Sequence, residues 1–142
     1  MPLKDAAADV AGFLNGKVAG ATTLTLGTNL FIGKMPGQDK APVHPCVAVL
    51  GTGGPQAEPY IGGRRESLYR PTVQVLVRGP AGDDQAGALV AREILAWLNL
   101  QVVTGYVSWN VRESAPTYLG TDRDQHGLWS LNLECLYQAA LP

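Results

Sequence analysis

The stretch Arg70–Gly79 constrains the fold of this chain more than any other part of its sequence. Every second residue from Val73 to Val77 is a valine, and this period-two pattern is typical of a strand with one buried face. Leu76 interrupts the polar side, so we expect the second face to be partly covered as well. Pro71 has no N–H to donate to a neighbouring strand, so it is predicted to stand at the first position of the strand.

An amphipathic helix is predicted to follow this strand. Residues 79–82, Gly-Pro-Ala-Gly, are predicted to end the strand. Asp83 or Asp84 is predicted to cap the helix, because a carboxylate accepts from the unpaired N–H groups of a first turn. One set of positions recurs near the helical period, and only Glu93 among them is polar. These positions are Ala86, Leu89, Val90, Glu93, Ile94, Trp97 and Leu98. We therefore expect this helix to lie on the sheet.

Further helical and extended segments flank this unit. A first helix is predicted over Leu3–Leu14, with Asn15 and Gly16 as its stop. The last strand, Leu128–Tyr137, carries apolar side chains on one side and polar ones on the other, so a slip of one residue would expose the apolar side. Shorter extended segments are predicted at Asn29–Gly33, Pro45–Gly51, Val107–Arg112 and Thr117–Gly120.

The remaining segments are predicted to be turns and loops. Gly20–Thr28 is either a loop or a weak edge strand, Pro36–Asp39 has turn chemistry, and 121–127 is a charged turn. Thr52–Arg65 is the least regular part, and a loop of this length in a small domain is functional or flexible. The element order predicts one domain over residues 1–142 with an α+β fold, a mainly antiparallel sheet with two helices packed on one face.

Composition excludes several classes of protein. The chain has 142 residues and a formal net charge of −1, so it offers no basic surface for nucleic-acid binding. It has no apolar run long enough for a transmembrane helix, and its N-terminus lacks the pattern of a secretion signal. Cys46 and Cys135 lie in apolar stretches far apart in sequence. They are predicted to be reduced core thiols of a cytosol-made protein, with a disulfide between neighbouring strands as the alternative.

Catalytic and ligand-binding signatures were sought without success. Neither His44 nor His126 has a nucleophile in a recognisable elbow, and the cysteines and histidines lack zinc-site spacing. Asp122 and Asp124 are two residues apart before a glycine, but the closing glutamate of a calcium loop is missing. Residues 51–54, Gly-Thr-Gly-Gly, are followed by proline instead of a helix, so no phosphate cradle is predicted. The sequence predicts no enzyme, no metal and no cofactor.

Several stretches together resemble one known family. They are Gly51–Gly54 before a proline-bearing loop, Tyr69–Gly79 leading into a helix, Ala115–Asp122, and Gly127 before the alternating last strand. In this layout the chain resembles tailed-phage minor capsid proteins that are similar to tail terminators. The resemblance covers residues 3–137, and its most specific pieces are the Arg-Pro-Thr-Val-Gln-Val-Leu-Val-Arg strand and the Tyr-Leu-Gly-Thr-Asp turn. The sequence departs from the family in residues 20–28 and in its loop rich in proline and glycine.

The resemblance implies a tail-terminator-like fold and a structural role in the virion. Copies of such proteins form a ring, commonly a homohexamer, at the head-proximal end of a long tail. The ring stops polymerisation of the tail tube and joins the tail to the head connector. The implied partners are other copies of the chain, the tail tube protein and the head–tail connector or stopper protein. DNA passes through the lumen without specific binding, no membrane is involved, and assembly takes place in the host cytoplasm.

A ring requires loops that reach its neighbours, and two loops have suitable lengths and charges. Loops 52–65 and 121–127 carry most of the charged residues that we single out as candidates for intersubunit or tail-tube contacts. The alternative is that each charge is only solvated surface. The candidates are Arg64, Arg65, Arg78, Asp122, Arg123 and Asp124.

Two other functions are compatible with the same sequence. One is a different neck, head–tail joining or tail-completion component built on the same small scaffold. The other is a small enzyme or ligand-binding domain, which a deep pocket with convergent polar groups would favour.

Overall fold

Residues 3–35, 44–59 and 66–140 are described in this computed structural model, and they form two helices and ten strands. The elements in chain order are α1 Ala6–Leu14, β1 Val18–Ala19, β2 Thr22–Thr23, β3 Leu30–Ile32, β4 Cys46–Gly53, β5 Glu58–Pro59, β6 Glu66–Tyr69, β7 Thr72–Ala81, α2 Asp84–Leu98, β8 Ser108–Val111, β9 Thr117–Thr121 and β10 His126–Ala140. The turn predicted at Pro36–Asp39 lies outside the described residues.

Both helices begin at an aspartate cap. The side chain of Asp5 accepts from the backbone N–H of Ala8 at 3.1 Å, and Asp83 accepts from Ala86 at 3.1 Å. These bonds satisfy N–H groups that have no partner within the helix. The structure thus selects Asp83 over Asp84, and it starts the first helix at Ala6 instead of the predicted Leu3.

The sheet is mainly antiparallel, as predicted. Its strand order is β3-β4-β7-β10-β6-β5, while β8 and β9 also pair with β10. Among the strands that the structure describes, only β3 and β4 pair in parallel within this sheet. Within the described residues β1 and β2 form a separate two-stranded ribbon, so the weak-strand alternative for 20–28 is correct at Thr22 and Thr23. The α+β prediction is confirmed.

One long ladder organises the sheet. Strand β10 pairs with β7 as far as Glu134 opposite Thr72, and with β6 from Tyr137 opposite Tyr69 onwards. From the first of these pairs to the second, β10 advances by three residues and the partner segment goes back by three. The register is therefore unchanged across Arg70 and Pro71. The backbone N–H of Cys135 donates to the Pro71 carbonyl at 2.9 Å across this gap.

Two predicted boundaries in this region were wrong. Strand β7 continues to Ala81, although 79–82 was expected to end it. The ladder shifts register between His126 and Leu128, and this bulge accommodates Pro80, which has no N–H to donate. The predicted irregular loop 52–65 contains the end of β4 and the short strand β5, because tertiary pairing with β6 overrides the turn-forming composition.

The core lies between one face of the sheet and both helices. Alternate residues of β4, β7 and β10 are buried on this face and belong to one hydrophobic cluster with residues of α1 and α2. Cys46 and Cys135 are buried and free, and burial raises the pKa of Cys135 to about 12. The largest fully buried side chains include Trp109, Leu14, Ile94, Leu98, Leu131 and Leu133.

Helix α2 approaches β7 at a contact between two glycines. A Cβ atom added to Gly79 would lie 3.0 Å from the Cα of Gly87, and one added to Gly87 would lie 3.1 Å from the Cα of Gly79. These distances are shorter than ordinary carbon–carbon contacts, and the obstructing atoms are backbone. Helix α2 can therefore pack this close to the sheet only because both positions are glycine.

We expect Gly87→Ala and Gly12→Ala to have opposite effects on stability. Gly12 is an exposed residue of α1 with open space around its Cα, so alanine should raise the free energy of unfolding by about 0.5–1 kcal/mol through helix propensity. Gly87→Ala should lower the free energy of unfolding by about 1–3 kcal/mol, because the cost of overpacking at the glycine contact exceeds the gain in helix propensity. Urea denaturation measures both values. Equal stabilisation by the two substitutions would disprove a limiting contact at Gly87.

Candidate functional site

The six charged residues predicted to lie at an interface fall in three places. Arg64 and Arg65 lie outside the described residues. Arg78 is in β7 and only 6% exposed. Asp122, Arg123 and Asp124 lie in the turn between β9 and β10, residues 122–125. The structure brings Arg78 and this turn together through two histidines.

The charged turn is held by its own first aspartate. Oδ1 of Asp122 accepts from the backbone N–H groups of Asp124 and His126, both at 2.9 Å. Gln125 has a φ of 67°, a left-handed conformation that is uncommon outside glycine. Its carbonyl accepts from the N–H of Gly82 at 3.0 Å. Asp122 thus supports the turn from within, whereas Arg123 and Asp124 are exposed.

Arg78 supports the same turn from inside the protein. Its Nε donates to Nε2 of His44 at 3.0 Å. The ring of His44 stacks on that of His126, with centroids 4.1 Å apart and an interplanar angle of 22°. Nδ1 of His126 lies 2.8 Å from the Gly79 carbonyl, and since a carbonyl only accepts, Nδ1 carries the proton. The buried Arg78 therefore positions two rings beneath the turn and is not a surface charge of the single subunit.

The histidine pair favours a neutral His44. Burial lowers its pKa below the ordinary value of 6.5, the neighbouring His126 and Arg78 lower it further, and Asp122 acts in the opposite direction. A neutral ring is also what the geometry requires, because Nε2 accepts the Arg78 proton. Sequence reasoning missed this pair. The two histidines are far apart in the chain, and only the pairing of β4, β7 and β10 brings them together.

The other end of β10 belongs to a three-stranded extension of the sheet, which we call the arm: β5, β6 and the last residues of β10. The rings of Tyr69 and Tyr137 stack across it with centroids 5.2 Å apart. Arg70 lies 3.5 Å from Glu58 and 3.8 Å from Glu134. These contacts hold β5 and β6 in place. Residues 60–65 connect these two strands in the sequence.

The arm and the charged turn lie at opposite ends of one strand. β10 begins at His126 beside the turn and ends at Ala140 opposite Glu66 of the arm. Its 15 residues span about 45–50 Å at the usual rise per residue. The structure therefore separates the charged turn from the arm, which suits contacts with different neighbours.

The described part of the chain offers neither a metal site nor a membrane-spanning helix. Among residues 3–35, 44–59 and 66–140, no group of three or more His, Cys, Asp or Glu side chains is placed to hold a metal ion. Neither described helix is long and apolar enough to cross a membrane.

Comparison with known proteins points to one family. A family model described as "Bacteriophage tail terminator protein" matches residues 17–139. The matched region begins just before β1 and reaches almost to the end of β10, so it includes the central ladder, the charged turn and the arm. A comparison with curated proteins gave no match.

We expect the stability of the protein to depend on pH through His44. The folded state resists protonation of His44 and the unfolded state does not, so the free energy of unfolding should fall as the pH drops below about 6.5. Urea denaturation at several pH values between 7.5 and 5 measures this slope. His44→Gln keeps an acceptor for Arg78 but does not titrate, so its slope should be shallower. Identical slopes in the two proteins would contradict this role.

Proposed function

This chain belongs to the bacteriophage tail terminator protein family, and from that premise we propose that its copies close into a ring at the head-proximal end of a phage tail. The ring is a hexamer that halts growth of the tail tube and joins the tail to the head connector. The observation that carries this proposal is the family match over residues 17–139. The family supports a structural role in the tail, and the ring and its position are our inference.

The placement of the two candidate segments supports a joining function. A terminator has the tail tube on one side and the head connector on the other, so it needs separate contact regions. The charged turn and the arm lie at opposite ends of β10, which keeps such regions apart. We propose that one of these regions contacts the tail tube and the other the head connector, and that neighbouring subunits meet at the same regions.

Within them, the charged residues have different roles. We propose that Arg64 and Arg65 in the segment carried by the arm, and Arg123 and Asp124 at the turn, contact partner proteins directly. Asp122 and Arg78 act indirectly, because their side chains hold the turn and the histidine pair in place. Opposite charges on separate segments suit the heterologous contacts from which a closed ring is built.

The charge of the chain suits a ring through which DNA passes. A formal net charge of −1 per subunit gives no excess of cations to hold the phosphate backbone. We propose that the genome moves through the lumen without specific binding. The protein would be assembled in the host cytoplasm and remain in the virion at the junction of tail and head.

The proposed function is tested by electron microscopy of the protein mixed with tail tubes that lack their head-proximal cap. We expect rings seated at one end of each tube and no further growth there when tube subunits are added. Rings that form but ignore the tube would instead indicate another neck component. The absence of both rings and tube binding would contradict a terminator role.

Charge reversal tests the arm segment in the same assay. We expect the double substitution Arg64→Glu and Arg65→Glu to abolish most ring assembly, because the introduced carboxylates would repel the acidic groups that the two arginines meet. The double substitution Arg64→Lys and Arg65→Lys keeps the charge and is the matched control, for which we expect assembly. Circular dichroism and urea denaturation should show folded monomers in both cases. Normal assembly by the Glu variant would remove both residues from the interface.

A further inference from the structure

The support beneath the charged turn combines a permanent cation with two titratable rings. Arg78 is 6% exposed and His126 is 9% exposed, while His44 is partly buried. Nε of Arg78 donates to Nε2 of His44 at 3.0 Å, and the two imidazole rings are stacked. A guanidinium keeps its proton at every pH that a folded protein meets, so this arrangement holds only while His44 is neutral.

Protonation of His44 converts its acceptor into a donor. The added proton occupies the Nε2 lone pair that accepts from Arg78, so two N–H groups and two positive charges then face each other. The Nη2 atom of Arg78 is buried and already lacks a hydrogen-bond partner among the described residues. Losing the His44 acceptor as well leaves a buried cation with less compensation, which costs free energy. The contact between Arg78 and His44 should therefore break.

The other titratable groups around His44 do not prevent this. His126, stacked on the ring, disfavours a second positive charge, and Asp122 is the acidic group that acts in the opposite direction. Oδ1 of Asp122 already accepts from two backbone N–H groups of the turn. Cys46 lies opposite Arg78 in the sheet, and burial raises the pKa of its thiol, so this neutral group offers no negative charge.

Of the two hydrogen-bonded partners, His44 is the one that is free to turn away. Arg78 lies within β7 and is paired with Cys46 of β4 on one side and Leu128 of β10 on the other. Its backbone is therefore held by both neighbouring strands. His44 precedes β4 and lies outside any strand. A protonated ring can thus rotate into water, where its charge is solvated, while the guanidinium stays in place.

The departure of His44 removes one support of the charged turn. His126 is the residue at which the turn joins β10, and its backbone N–H and carbonyl both bond to Asp122. Without the stacked ring, one face of the His126 side chain is open to water, and its bond to the Gly79 carbonyl is left as its hold on β7. Arg78 alternates with the core residue Val77, so the cluster lies on the sheet face away from the helices. Opening there leaves the core closed.

We propose that this cluster makes the charged turn sensitive to pH: protonation of His44 breaks its contact with Arg78 and loosens the turn, and the contacts of the turn in the ring weaken as a result. Only the second step rests on the proposed function. The closed turn disfavours the protonated ring and the open turn does not. The open fraction should therefore rise as the pH falls below about 6.5, the ordinary pKa of histidine.

Hydrogen exchange of the turn tests the first step with the full-length protein alone. Mass spectrometry follows exchange in a peptide that contains residues 122–126, at pH 7.5 and at pH 5.5. One unit below a pKa of 6.5, the open form holds about ten protonated His44 rings for each neutral one, so we expect protection of the turn to fall about tenfold. Measurements on short unstructured peptides correct for the intrinsic effect of pH on exchange.

Two variants identify the group that titrates. His44→Gln keeps an acceptor for Arg78 but takes up no proton, so we expect its turn to be equally protected at both pH values. Asp124→Asn removes an exposed carboxylate of the same turn and leaves His44 in place, so it is the matched control and should lose protection in acid as the wild type does. A loss of protection in His44→Gln equal to that of the wild type would overturn the proposal.

Ring assembly on uncapped tubes at the same two pH values tests the second step. We expect the wild-type protein to form rings at pH 7.5 and far fewer at pH 5.5, because the open turn no longer presents its charged groups in one position. His44→Gln should form rings equally well at both pH values. This variant also controls for any effect of acid on the tubes, since the same tubes are used for both proteins.

The outcomes separate this inference from the proposed function. Unchanged protection of the turn in acid would overturn the pH response and leave the ring role intact. A turn that opens while ring yield stays normal would overturn its control of the ring contacts. An acid response of the turn that requires His44, in protein that forms no rings at either pH, would support the pH response and overturn the terminator role.

Discussion

The ladder between β10 and the strands β6 and β7 keeps one register from Leu128 opposite Arg78 to Ala140 opposite Glu66. A slip of one residue would move every buried side chain of β10 to the opposite face, so this register is fixed by the core. The middle of the ladder supplies the face on which both helices pack. Its ends place the charged turn and the arm far apart. The core and the two candidate contact regions thus depend on the same pairing.

The sequence predicted the elements whose signals are local. The alternating valines of β7, the alternating last strand and the Asp83 cap depend on neighbouring residues, and each was correct in type. The arm was missed because Pro59 and Pro71 read locally as breaks, whereas β5 and β6 form through pairing with residues far along the chain. Such strands leave little local pattern.

The candidate site, like the fold, could be predicted only where the signal is local in the sequence. A turn at 121–127 was expected, but the inward carboxylate of Asp122 depends on backbone geometry that composition does not show. Period two places Arg78 on the face opposite the valines, yet it does not reveal that His44 and His126 lie near that face. The family resemblance, by contrast, came from the central strand and the Tyr-Leu-Gly-Thr-Asp turn, and the family match includes both.

The charged turn and the first turn of α2 meet at one glycine. A Cβ on Gly127 would lie 2.8 Å from Oδ1 of Asp84 and 3.7 Å from the ring of Tyr118. The start of β10, the first turn of α2 and β9 therefore come together here. Because Gly79 and Gly87 already bring α2 into backbone contact with β7, the helix cannot move closer to the sheet to make room at Gly127. The charged turn therefore stands on a closely packed base of β7, β10 and α2, and in the proposed ring this base fixes the position of the turn towards its partner.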